Sequence, residues 1–121
     1  MNTERELVLQ LLMEEEKSTV PFSDLLKELL QKYDFLRSEQ KAFIKRVAVG
    51  CIDRRITLDF VLDSYASRKV SKMKPLIREL LRMGAYQLLF MDRVPDSAAV
   101  NETVKLAVQH GFSSLRGFVN G

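Results

Sequence analysis

Two pairs of cations stand one helical turn apart, Lys41 with Lys45 and Arg78 with Arg82, and Arg54, Arg55 and Arg93 lie near the ends of the segments carrying them. Residues four apart share a face of a helix, so each pair can meet the phosphates of a nucleic acid from one side. Residues 37–93 hold 13 basic and 6 acidic side chains, a net of +7. Residues 1–36 hold 4 basic and 8 acidic, a net of −4, and the rest of the chain is balanced. A polyanion is therefore drawn to the middle of a chain whose formal charge is only +3. Arg68, Lys69, Lys72 and Lys74 add cations in a connection of the same region.

Other chemistry has little to stand on. The one histidine, His110, and the one cysteine, Cys51, are far apart in the chain and match no nucleophile–base spacing, and no glycine-rich phosphate loop is present. Catalytic, cofactor-binding and metal-ligating residues are thus expected to be absent from this chain. Glu14, Glu15 and Glu16 are consecutive, point in different directions on a helix, and read as a solvated face. Cys51 lies on an apolar stripe and reads as a core residue, and His110, in the last turn of a helix, as a dipole partner. With 121 residues, 46% hydrophobic and 29% charged, the chain fits one globular domain without disulfides. The acidic start MNTERELVLQ is no secretory leader, and the most apolar segment, Met83–Met91, falls short of the roughly 20 residues that span a bilayer. A reducing, cytoplasmic setting is expected.

The elements that must position these residues all follow helical periodicity, and the expected fold is all-α, a bundle of about six to seven helices. Thr3 and Glu6 have capping-box spacing ahead of a stripe of Leu7, Leu11 and Leu12. Ser23 and Ser38 are the expected caps of the second and third helices. The third faces inward through Phe43, Ile44, Val47, Ala48 and Cys51, and falters at Arg54 and Arg55. Thr57 restarts the chain as a fourth helix that buries Leu58, Val61, Leu62 and Tyr65. Pro75 opens the fifth, apolar nearly all round and so central, where Gly84 marks a close helix crossing. Asp96 or Ser97 caps the sixth, which buries some combination of Val100, Val104, Leu106 and Ala107 and ends at Gly111.

The segment IRELLRMGAYQLLFMDRVPDSAAVNETVKLAVQHGF, followed by FVNG at Phe118–Gly121, resembles the NusB family of helical RNA-binding domains. Within it, GAYQLLF, DRVP and AAVNE look most like the amino-terminal domain of RsmB (Sun, Fmu) ribosomal RNA cytosine-5 methyltransferases. The resemblance covers the last 46 residues, through Gly84, Tyr86, Asn101, Glu102, Phe118, Val119 and Asn120. It implies two small helical subbundles and a basic RNA-binding surface. It also implies a partner that is ribosomal RNA, an attached methyltransferase domain or, in the antitermination branch, a ribosomal protein. Residues 1–121 would then be one domain, cut from a longer chain or truncated at its last helix, with S-adenosylmethionine used only by the attached domain. Asn101 and Glu102 would begin a turn, and Phe118 would be a ring near the RNA. The arginine-rich entry to the first helix of the antitermination branch is missing, since Arg5 stands alone among acids. The expected RNA contacts are therefore Lys41, Lys45, Arg54, Arg55, Arg78, Arg82, Arg93 and Phe118.

Overall fold

The computed structural model describes residues 3–92 and 94–110. They form α1 (Thr3–Lys17), α2 (Phe22–Lys32), α3 (Ser38–Asp53), α4 (Arg55–Tyr65), a 3-10 turn at Val70–Lys72, α5 (Pro75–Phe90) and α6 (Asp96–Gln109). No strand occurs among the described residues, so the fold is all-α as expected. Arg93, Gly111 and Phe118 to Asn120 lie outside the described residues.

The helix starts sit one or two residues from the serines expected to cap them. The carbonyl of Pro21 accepts from the amides of Asp24 and Leu25, so α2 begins ahead of Ser23. Arg37 precedes α3, and its amide donates to Gln40 Oε1 at 2.9 Å, which leaves Ser38 as the first helical residue. In each case the side chain three residues on, or the fixed dihedral of a proline, completes the turn without the serine hydroxyl. Only Arg54 separates α3 from α4, which starts before Thr57. Glu6 closes on His110 at the far end of α6, with Nε2 to Oε1 at 3.0 Å, and so ties α1 to α6.

The core gathers around α1 and α5. Leu7, Val8, Leu9, Leu11 and Leu12 are all buried, because α1 packs against α2, α3 and α5 and needs more than one apolar stripe. The α5 helix touches α1, α3, α4 and α6, which gives it the central place its composition indicates. Ile44, Val47, Ala48 and Cys51 of α3 and Leu58 of α4 complete the interior. A Cβ at Gly84 would meet Thr103 Oγ1 at 2.9 Å, so the glycine does mark the α5–α6 crossing. A Cβ at Gly50 would overlap the Tyr86 ring, its nearest atom 2.1 Å away, so that glycine seats Tyr86 against α3.

The structure departs from the sequence expectations at several residues. Tyr65 is 84% exposed rather than buried, because α4 packs chiefly on α3, α5 and the 3-10 turn, which enclose Leu58 and leave Tyr65 uncovered. On the outer face of the same helix, Ile56 and Phe60 are 88% and 74% exposed. In α6 the buried set is Ala99, Thr103, Leu106 and Ala107, while Val100 and Val104 are only half-buried. Asn101 and Glu102 lie within α6 rather than at a turn.

Candidate nucleic-acid interface

The α5 arginines are paired with carboxylates. Arg82 is buried, and its guanidinium donates to both carboxylate oxygens of Asp59 on α4 at 2.8 Å and to Glu79 Oε2 at 2.8 Å. Arg78 makes a two-pronged pair with Glu16 on α1 and donates to the Met73 carbonyl at 2.9 Å. Arg55 reaches Glu15 Oε1 at 2.7 Å. The cluster lines a polar cavity of about 430 Å³ between α1, α4 and α5. The expectation that Arg55, Arg78 and Arg82 contribute to an open basic strip is corrected by their neighbours, and so is the reading of Glu15 and Glu16 as a solvated face. Guanidinium forks matched to carboxylates are strong and directional, and they fasten α1 and α4 onto α5.

Three guanidiniums face four carboxylates in this cluster, and the odd group is Glu79. It is fully buried, and its Oε1 has no donor among the described residues. Burial, then the neighbouring Glu16 carboxyl, push its pKa up to about 8. Burial acts on Glu16 in the same sense, but the hydrogen bonds from Arg78 and from Glu79 outweigh it and hold Glu16 down to about 2. A proton on Glu79 would leave the cluster neutral.

The α3 cations behave differently. Lys45 and Arg46 of α3 and Arg54 at its end line an open cleft of about 470 Å³, together with Ala42, Val49, Asp53 and Tyr86. No carboxylate of the described residues comes within ion-pair distance of Lys45, Arg46 or Arg54. Arg46 Nη2 donates to the carbonyl of Phe90, the last residue of α5, at 2.9 Å. The Arg54 guanidinium lies 4.7 Å from the centroid of the Phe90 ring, which in turn sits 5.4 Å from Tyr86. Lys41, a turn before Lys45, donates to the Asp34 carbonyl at 3.1 Å. The structure thus brings Lys45 and Arg54 together and adds Arg46. Sequence reasoning passed over Arg46, although it stands eight residues before Arg54, a spacing that keeps two side chains on one side of a helix.

Arg5 donates to buried Gln87 at 2.9 Å and covers the Phe43 ring, so it is anchored to the core. Cys51 is buried, and burial pushes its thiol up, which suits a core residue and not a nucleophile. Among the described residues no cluster of acids, histidine and cysteine could hold a metal ion, and no helix is long and apolar enough to cross a membrane.

Similar proteins divide into two groups. The probable ribosomal RNA small subunit methyltransferase B of Bacillus subtilis is 30% identical over 117 residues, 97% of this chain and 26% of that protein. Its counterpart in Synechocystis is 37% identical over 92 residues, 76% of this chain and 20% of that protein. The transcription antitermination protein NusB of Paenarthrobacter aurescens is 30% identical over 118 residues, 97% of this chain and 85% of that protein. The chain therefore spans about a quarter or less of these methyltransferases and most of the antitermination protein. Among solved structures, antitermination factors NusB and NusE in complex with dsRNA match with a TM-score of 0.85 at 17% identity, covering 99% of this chain and 89% of the other. The NusB family model itself matches residues 2–121, and the chain belongs to the NusB family.

Proposed function

We propose that this chain is an RNA-binding module that holds structured ribosomal RNA by its phosphates and presents it to the catalytic domain of a ribosomal RNA cytosine-5 methyltransferase. Its RNA face is the α3 side, where Lys45, Arg46 and Arg54 outnumber the one carboxylate, Asp53, around an open cleft and form no ion pair with it, with Lys41 a turn away. That cleft is the observation that carries the reading, because the α5 arginines are held by acids. Phosphate contacts fix the position of an RNA without reading its sequence, which suits a domain that delivers substrate. Arg93 and Phe118 belong to the same proposal on family resemblance alone. S-adenosylmethionine and the reacting cysteine would belong to the attached domain, in a cytoplasmic protein of which residues 1–121 are the amino-terminal part.

A titration of a ribosomal RNA fragment at rising salt tests this. Three phosphate contacts give a slope of about 2–3 in the log–log plot. A flat response refutes phosphate-led binding.

A second reading is favoured by a separate observation. Ile56 and Phe60 stand one turn apart and exposed on α4, the kind of apolar pair that meets a protein. In that reading the chain is an antitermination-type module whose partner is a ribosomal protein, and Lys45→Glu with Arg46→Glu leaves RNA affinity unchanged.

A further inference from the structure

Arg54 is held in a way that simple phosphate binding does not require. Its guanidinium carbon lies over the Phe90 ring, 4.7 Å from the centroid, and Phe90 is itself packed on Tyr86, which Gly50 lets lie against α3. A guanidinium held over a ring can take an aromatic base on its far side, and Arg54 is exposed. Two further cations of the same cleft, Lys45 and Arg46, lie on the stretch of α3 preceding it, and Arg46 is steadied by the Phe90 carbonyl. The cleft, about 470 Å³, falls within the roughly 300–1,000 Å³ range of small-ligand sites.

We propose that the α3–α5 cleft is a site for one unpaired nucleotide of the bound RNA, its base stacked on Arg54 and its phosphate held by Lys45 and Arg46. This rests on the RNA-binding reading above and deepens it. A duplex keeps its bases stacked on each other and offers the cleft only phosphates, for which the Phe90–Arg54 stack adds nothing. An unpaired nucleotide uses both halves of the cleft. An acidic peptide would use the cations and leave the stack idle.

The test compares two fluorescently labelled RNAs of the same sequence, a hairpin with an unpaired loop and its fully paired duplex, bound to the whole chain. Arg54→Lys keeps the charge and removes the plane, and as an exposed substitution it leaves the fold intact by circular dichroism. The expected result is a hairpin affinity lowered by at least about fivefold, the smaller end of what one stacked base contributes, with duplex affinity and salt slope unchanged. Lys45→Ala should weaken both RNAs and lower the slope by about 0.7–0.9. Equal loss for hairpin and duplex in Arg54→Lys, or no loss for either, overturns the nucleotide site while RNA binding stands. Displacement of the hairpin by poly-glutamate at equal charge concentration overturns it too. Failure of both RNAs to bind the wild-type chain overturns the RNA reading itself.

Discussion

The most consequential single residue for stability is Glu79, a carboxyl without exposure among three guanidiniums. Its pKa is raised from 4.5 to about 8, so folding keeps a proton that the unfolded chain gives up. The stabilisation tied to that proton is complete below the ordinary value of 4.5 and is lost as pH rises toward 8. Glu16 works the other way: its stabilisation is present above 4.5 and is lost as pH falls toward about 2. Glu79→Gln keeps the shape and removes the titration. Urea unfolding of this variant should therefore lack the downward slope of stability between pH 4.5 and 8 expected of the wild type; an unchanged slope would show that Glu79 is ionised in the fold. Arg82→Ala leaves Asp59 and Glu79 without their shared cation and should cost about 3–5 kcal/mol, read from the same unfolding curves. A loss below 1 kcal/mol would mean that water replaces the guanidinium. Asp59, Glu15 and Glu16 were illegible as partners because they lie 23, 40 and 62 residues from the arginines they bind.

At the level of helices, crossings are fixed by small residues. Alanine is a better helix former than glycine by about 1 kcal/mol, yet Gly84→Ala should destabilise, because the new methyl meets Thr103 Oγ1, which is pinned to the Ala99 carbonyl at 2.8 Å. Adding Thr103→Ala should recover most of the loss, and thermal melts of the double-mutant cycle would show the coupling; additive losses would place the strain elsewhere. The Gly84 crossing was legible because a glycine inside an apolar helix needs a close neighbour to justify it. The Gly50 contact was not, since it depends on Tyr86 arriving from 36 positions further along the chain. Helix identity and order were legible from apolar spacing and from Pro75. The burial of Tyr65 was misjudged because periodicity marks the inner face of α4 but not how far along its length neighbours extend.

For the molecule as a whole, the acidic first third and the basic middle fold onto each other. Glu15 and Glu16 take Arg55 and Arg78, so part of the +7 serves as internal fastening and its cations are withdrawn from any ligand. Charge counted along a chain reports the cations present, and only the fold sorts those paired from those free. What is left on one side is the α3 group, of which Lys41, Lys45 and Arg54 were legible and Arg46 was not. The most direct test is the salt dependence of RNA affinity for Lys45→Ala with Arg46→Ala, set beside Lys27→Ala with Lys32→Ala on α2. The α3 pair should lower the log–log slope by about 1.4–1.8 and the α2 pair should leave it unchanged. Equal changes for both pairs, or none for the α3 pair, would contradict an RNA face on α3.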